Sequence, residues 1–109
     1  MDDWQTEIAN ETRRALQSSH AGRLRTSARR IAGIALSEYR RTAEGVRKEE
    51  SFLALLTDCA NDPSLPEPIR GAAYRLSARV GTDFSSPSVN PMGDADIIVD
   101  FVRSAAEKS

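Results

Sequence analysis

Ten of the 15 Lys/Arg residues fall between positions 13 and 48, where the acids are Glu38 and Glu44 alone. Six of them, Arg23, Arg25, Arg29, Arg30, Arg40 and Arg41, are spaced so that an α-helix of about 3.6 residues per turn carries them on one side. A guanidinium stays charged and makes bidentate contacts with carboxylates and phosphates. Such a face is chemistry for docking onto an anion. Arg25 and Arg29 are four apart, a like-charge spacing that costs a few tenths of a kcal/mol in a helix, so an external acid relieves it. A competing reading lets acids of the chain itself, from the first helix or from Asp94, Asp96 and Asp100, lie across the arginine row.

Other reactive residues are sparse. His20 is the sole histidine and follows Ser18-Ser19 in a segment read as an interhelical loop. Neighbours in a loop lack nucleophile–base geometry, so His20 reads as a surface residue. Cys59, the single cysteine, excludes an intramolecular disulfide and a multi-cysteine zinc site. Its position beside Leu55 and Leu56 makes it a small buried hydrophobe. Asp94, Asp96 and Asp100 lack the spacing of a calcium loop; Asp94 reads as a helix cap. No glycine loop could cradle a phosphate. No catalytic residue, cofactor or metal is expected. Gly33 lies among the arginines, a bare spot where another backbone could approach.

Charge is segregated along the chain. Residues 1–12 carry four acids and no base, residues 13–48 are strongly basic, and residues 49–109 carry ten acids against five bases. The formal net charge of −1 hides these opposed fields. The acidic start "MDDWQTEIANE" has neither the basic flank nor the apolar run of a signal peptide. No window approaches the roughly 18 apolar residues of a membrane span. The expected location is the cytoplasm, without membrane association.

Periodicity near 3.6 predicts one all-α domain, residues 1–109, with about five helices in a compact bundle or a short stack. The first spans about Asp3 to Ser18, with Trp4, Ile8, Ala15 and Leu16 inward. The second, about Gly22 to Thr42, carries the stripe Leu24, Ala28, Ile31, Ala35 and Tyr39 and stops at Gly45. The third, about Val46 to Ala60, bears Phe52, Leu53, Leu55, Leu56 and Cys59 and ends at Asn61-Asp62-Pro63. The fourth opens near Pro68 and buries Ile69, Ala73, Leu76 and Val80 before Gly81. Residues 81–93 have no period, and Phe84, Val89 and Met92 are the apolar residues of that loop. The last, about Ala95 to Glu107, faces inward with Ile97, Ile98, Phe101, Val102 and Ala105, leaving Val99 opposite.

Within "SFLALLTDCANDPSLPEPIRGAAYRLSARVG", Asp62 and Pro63 form a turn, and Ile69, Arg70, Ala72, Ala73 and Leu76 follow as an apolar residue, Arg, small residues and Leu. Over residues 47–81 this resembles one HEAT repeat. Leu24, Arg25, Ala28, Arg30 and Ile31 echo Ile69, Arg70, Ala73, Arg75 and Leu76 at an offset of about 45, inside the HEAT range of about 40–47 residues. The resemblance implies α–α packing and a binding role. The function expected is a non-enzymatic protein–protein interaction module of adaptor, inhibitor or immunity type, whose Arg face meets a partner with an acidic surface. The 81–93 loop serves as a second contact. The alternative is a nucleic-acid-binding regulator using the same arginines, which a sequence pI near 5.8 does not favour. A homo-oligomer is open to a minimal stack with exposed end helices.

Overall fold

The computed structural model describes residues 4–17, 21–44, 51–78 and 90–107. They form five α-helices: α1 (Trp4–Leu16), α2 (Ala21–Glu44), α3 (Phe52–Ala60), α4 (Glu67–Ser77) and α5 (Pro91–Glu107). The fold is all-α, as the periodicity predicts. His20, Gly45, residues 46–50, Val80, Gly81, Phe84 and Val89 lie outside the described residues.

Helix α2 is the centre. It packs against each of the other four helices, while α3 and α4 pair as a hairpin and α5 rests on both α2 and α4. A helix with four neighbours needs a buried arc wider than a single stripe, and α2 has one: Ala28, Ile31, Ala32, Ala35 and Leu36 are all buried. The alanines let neighbouring axes approach closely, and the larger Ile31 and Leu36 fill the space between them. Against this arc pack Ile8, Leu55, Leu56, Cys59, Leu65, Ile69, Ala72, Ala73, Leu76, Ala95, Ile98, Val99 and Val102. Tyr39 meets Phe101 with ring centroids 5.2 Å apart, a tilted pair that extends the α2–α5 seam.

Helix ends follow local chemistry. Ser51 caps α3 through a hydrogen bond that its hydroxyl accepts from the Ala54 N–H at 3.1 Å. Among the described residues the third helix begins at Phe52, and its expected start near Val46 lies outside them. In the Asp62-Pro63 turn, the Asp62 carboxylate accepts from the Ser64 N–H (2.9 Å) and hydroxyl (2.7 Å). These bonds hold the Asp62 carboxyl below its usual range. Arg70 donates from Nε to the Leu65 carbonyl and fastens the turn to α4. Asn90, not Asp94, caps α5: its Oδ1 accepts from the Gly93 N–H at 3.0 Å.

Three facing assignments differ from the periodic reading. Leu16 is 76% exposed, because the other helices lie toward the Ile8 and Ala15 side of α1. Ile97 is exposed, whereas Val99 is buried with Ala95, Ile98 and Val102. Helix α5 is wedged between α2 and α4, which rotates its inner face toward Val99. Phe52 and Leu53, at the start of α3, are partly exposed.

Gly33 is buried, and a Cβ there would collide with Phe52. The bare spot on α2 is therefore filled by the chain's own α3, not left open to a second backbone. We expect Gly33→Val to lower stability by about 1–3 kcal/mol in thermal or urea unfolding, because Phe52 and the first turn of α3 must shift. Adding Phe52→Ala to Gly33→Val should recover part of that loss, as expected for residues in contact. Full additivity of the two effects would show that the contact is not made.

Candidate functional site

The six arginines of α2 fall into two groups. Four of them engage the chain itself. Arg29 donates from Nε to the Leu76 carbonyl (2.5 Å) and from Nη2 to the Ala78 carbonyl (3.2 Å). It thereby satisfies acceptors left open at the C-terminal end of α4 and places positive charge at the negative end of that helix's dipole. Partial burial, reinforced by neighbouring Arg25, pulls the Arg29 pKa below its ordinary value. Arg30 reaches the Glu11 carboxylate of α1 at 3.8 Å. Arg40 lies 3.7 Å from Asp58 of α3. Arg41 forms a two-point pair with Glu38 one turn back, on the surface of α2 itself, which raises the Arg41 pKa.

Arg23 and Arg25 form the second group. Arg23 is exposed and Arg25 half-buried, and neither meets a carboxylate among the described residues. They occupy the N-terminal turns of α2, next to the corner where α1 ends. Across that corner lies Glu11, 8% exposed, whose carboxylate accepts from the Ser27 hydroxyl (2.9 Å) and from Arg14 Nη1 (3.1 Å). Arg14 and Arg30 share this one anion. Two guanidiniums, Arg14 and Arg30, thus share this single acid, while Arg25 lies close enough to Arg29 to lower its pKa.

Glu11 does lie against the arginine row, as the competing reading requires of the first helix. The α5 acids do not. Asp94 is 7% exposed and takes a bidentate contact from Arg75 (Nη2–Oδ1 2.8 Å), fastening α4 to α5. That pair raises the Arg75 pKa. Asp100 sits 3.9 Å from Arg103 of its own helix, and Asp96 is exposed. Neither Arg75–Asp94 nor Glu11–Ser27 is legible from spacing, because 19 and 16 residues separate the partners. The one hint was that a buried-face position on α1, one turn after Ile8, is held by a glutamate.

Cys59 is buried, and desolvation pushes its thiol up to about 11. Nearby Arg40 acts in the opposite direction and is outweighed. A thiol kept protonated at neutral pH is a poor nucleophile. Met92 belongs to the first turn of α5 and packs against the core. Of the three apolar residues expected in the 81–93 loop, it is the one described, and it is anchored. Among the described residues no group of three or more His, Cys, Asp or Glu is placed to hold a metal ion, and no helix is long and apolar enough to cross a membrane.

The two groups of arginines should separate in unfolding experiments. Arg29→Met removes the cations' hydrogen bonds at the end of α4 and is expected to cost about 1–2 kcal/mol. Arg23→Met should change stability by no more than about 0.5 kcal/mol. Equal effects would contradict the division. Iodoacetamide should label Cys59 in the native protein only at the rate of unfolding. Because the folded thiol ionises near 11 and the unfolded one near 9.0, stability falls as pH rises through that interval, where the unfolded chain gives up its proton first. No family model matches the chain, and neither a curated protein nor a solved structure matches it.

Proposed function

We propose that the protein is a non-enzymatic interaction module of the cytoplasm whose α1–α2 corner docks onto an acidic surface of a partner protein. The observation that carries this reading is the contrast within one helix. Arg29, Arg30, Arg40 and Arg41 are matched by the chain's own oxygens, while Arg23 and Arg25 have no acid partner among the described residues. Among the described residues the fold accounts for the other four arginines and not for these two. Beside the overloaded Glu11, they offer several guanidinium donors to carboxylates that arrive from outside.

The role of each residue follows from its place. Arg23 and Arg25 make the direct contacts. Arg14 and Arg30, tethered through Glu11, keep the local potential positive and steer an acidic partner toward the corner. Arg29 belongs to the scaffold despite lying on the same helix face. The HEAT-like α3–α4 hairpin, packed against α2, would serve as the rigid backing for this surface. In the cytoplasm a lone buried thiol such as Cys59 stays reduced, in keeping with this placement.

The test compares wild type with Arg23→Ser/Arg25→Ser and with Arg41→Ser as a control. Binding of a glutamate-rich peptide and of a DNA duplex is measured at two salt concentrations. Proteins recovered from the native lysate with each variant are then compared. The expected result is peptide binding weakened about tenfold or more by the double substitution and little changed by Arg41→Ser. The same double substitution should deplete the same co-purifying protein. Tighter binding to the duplex than to the peptide, falling steeply with salt, would transfer the corner to nucleic acid. Unchanged recovery with the double variant would remove the proposal.

A further inference from the structure

Helices α1 and α5 both lie on α2, yet no Cα of one comes within 8 Å of the other. A hydrogen bond from Arg103 Nε to Gln5 Oε1 (3.2 Å) spans them at one end. From there they border an open groove of about 470 Å³ whose lining includes Ile8, Leu16 and Val99, with Arg13 on the α1 wall and Asp96 on the α5 wall. Leu16 stands 76% exposed at the open end. Asp96 meets no cation among the described residues, and Arg13 reaches only the Asn10 side chain, at 3.5 Å.

We propose that this groove is an interface for a second copy of the chain, the two copies related by a twofold axis that runs along the groove. Such an axis lays α1 of each copy against α5 of the other. Arg13 of each then faces Asp96 of the other, forming two equivalent ion pairs. Leu16 of each copy packs onto the opposite α5 wall and is withdrawn from water. The charges select this occupant. Arg103, also on the α5 wall, is held by Asp100 and Gln5. That leaves Arg13 on one wall and Asp96 on the other as the lining charges without an ion pair among the described residues. A rim whose two open charges are of opposite sign is complementary to itself. The interface uses residues distinct from Arg23 and Arg25, so either reading can fail without the other.

Sedimentation of the full chain over a wide concentration range tests the proposal, with circular dichroism to confirm that each variant is folded. Wild type is expected to show a concentration-dependent dimer. Leu16→Glu, at an exposed position, should leave the fold intact and raise the dimer dissociation constant at least about tenfold. Arg13→Asp and Asp96→Arg should each weaken the dimer, and Arg13→Asp/Asp96→Arg together should restore it, because every cross-copy pair again joins opposite charges. A wild type that stays monomeric up to about 1 mM would overturn the interface. So would a Leu16→Glu variant that dimerises like wild type, or a double charge swap no tighter than the single ones.

Discussion

Everything in this molecule depends on close approach to α2. A helix touched by four others cannot carry a large side chain on every inward position, since the neighbouring backbones would be held too far apart to exclude water. Ala28, Ala32, Ala35 and Gly33 meet that constraint. Gly33 does so at some cost to helix propensity, about 1 kcal/mol relative to alanine. The space it leaves is taken by Phe52, which draws the start of α3 onto the polar side of α2. One missing side chain thus lets α3 seat directly on α2.

That arrangement assigns work to the arginines. Once α3 and α4 cover part of the face that carries them, a guanidinium there must reach an oxygen or hold its charge against desolvation. Arg29 turns to the carbonyls that α4 leaves open, and Arg40 to Asp58. The same solution recurs between other helices, with Glu11 receiving Ser27 and Arg30, Asp94 receiving Arg75, and Gln5 receiving Arg103. Exposed pairs of this kind add little stability each. Their value lies in orientation: with a core built largely of alanine, leucine and isoleucine, directional contacts fix how each helix is rotated on its neighbour.

Function, on this view, lives at the margins of the scaffold. Near the N-terminal end of α2, Arg23 is exposed and Arg25 half-buried. Both α1 and α5 pack on α2 and meet each other, among the described residues, through Arg103 and Gln5, so beyond that bond a groove opens between them and Leu16 stands exposed.

Helix number, helix type and most buried positions were legible along the chain. A period of 3.6 marks Ala28, Ile31, Ile69, Leu76, Ile98 and Val102 as inward, and Pro63, Pro68 and the Asp62 turn punctuate the elements. These are local properties, set by backbone geometry and neighbouring side chains. What the sequence could not determine was how many neighbours each helix has. A single stripe suffices for one contact, so Val99 and Gly33 read as outward until α5 is wedged and Phe52 is seated. The fate of each arginine was equally hidden. Whether a guanidinium clasps another helix or is a free contact depends on oxygens 18 to 49 residues away, brought near only by tertiary packing. Spacing along one helix orients a charge; only the packed chain decides what stands opposite it.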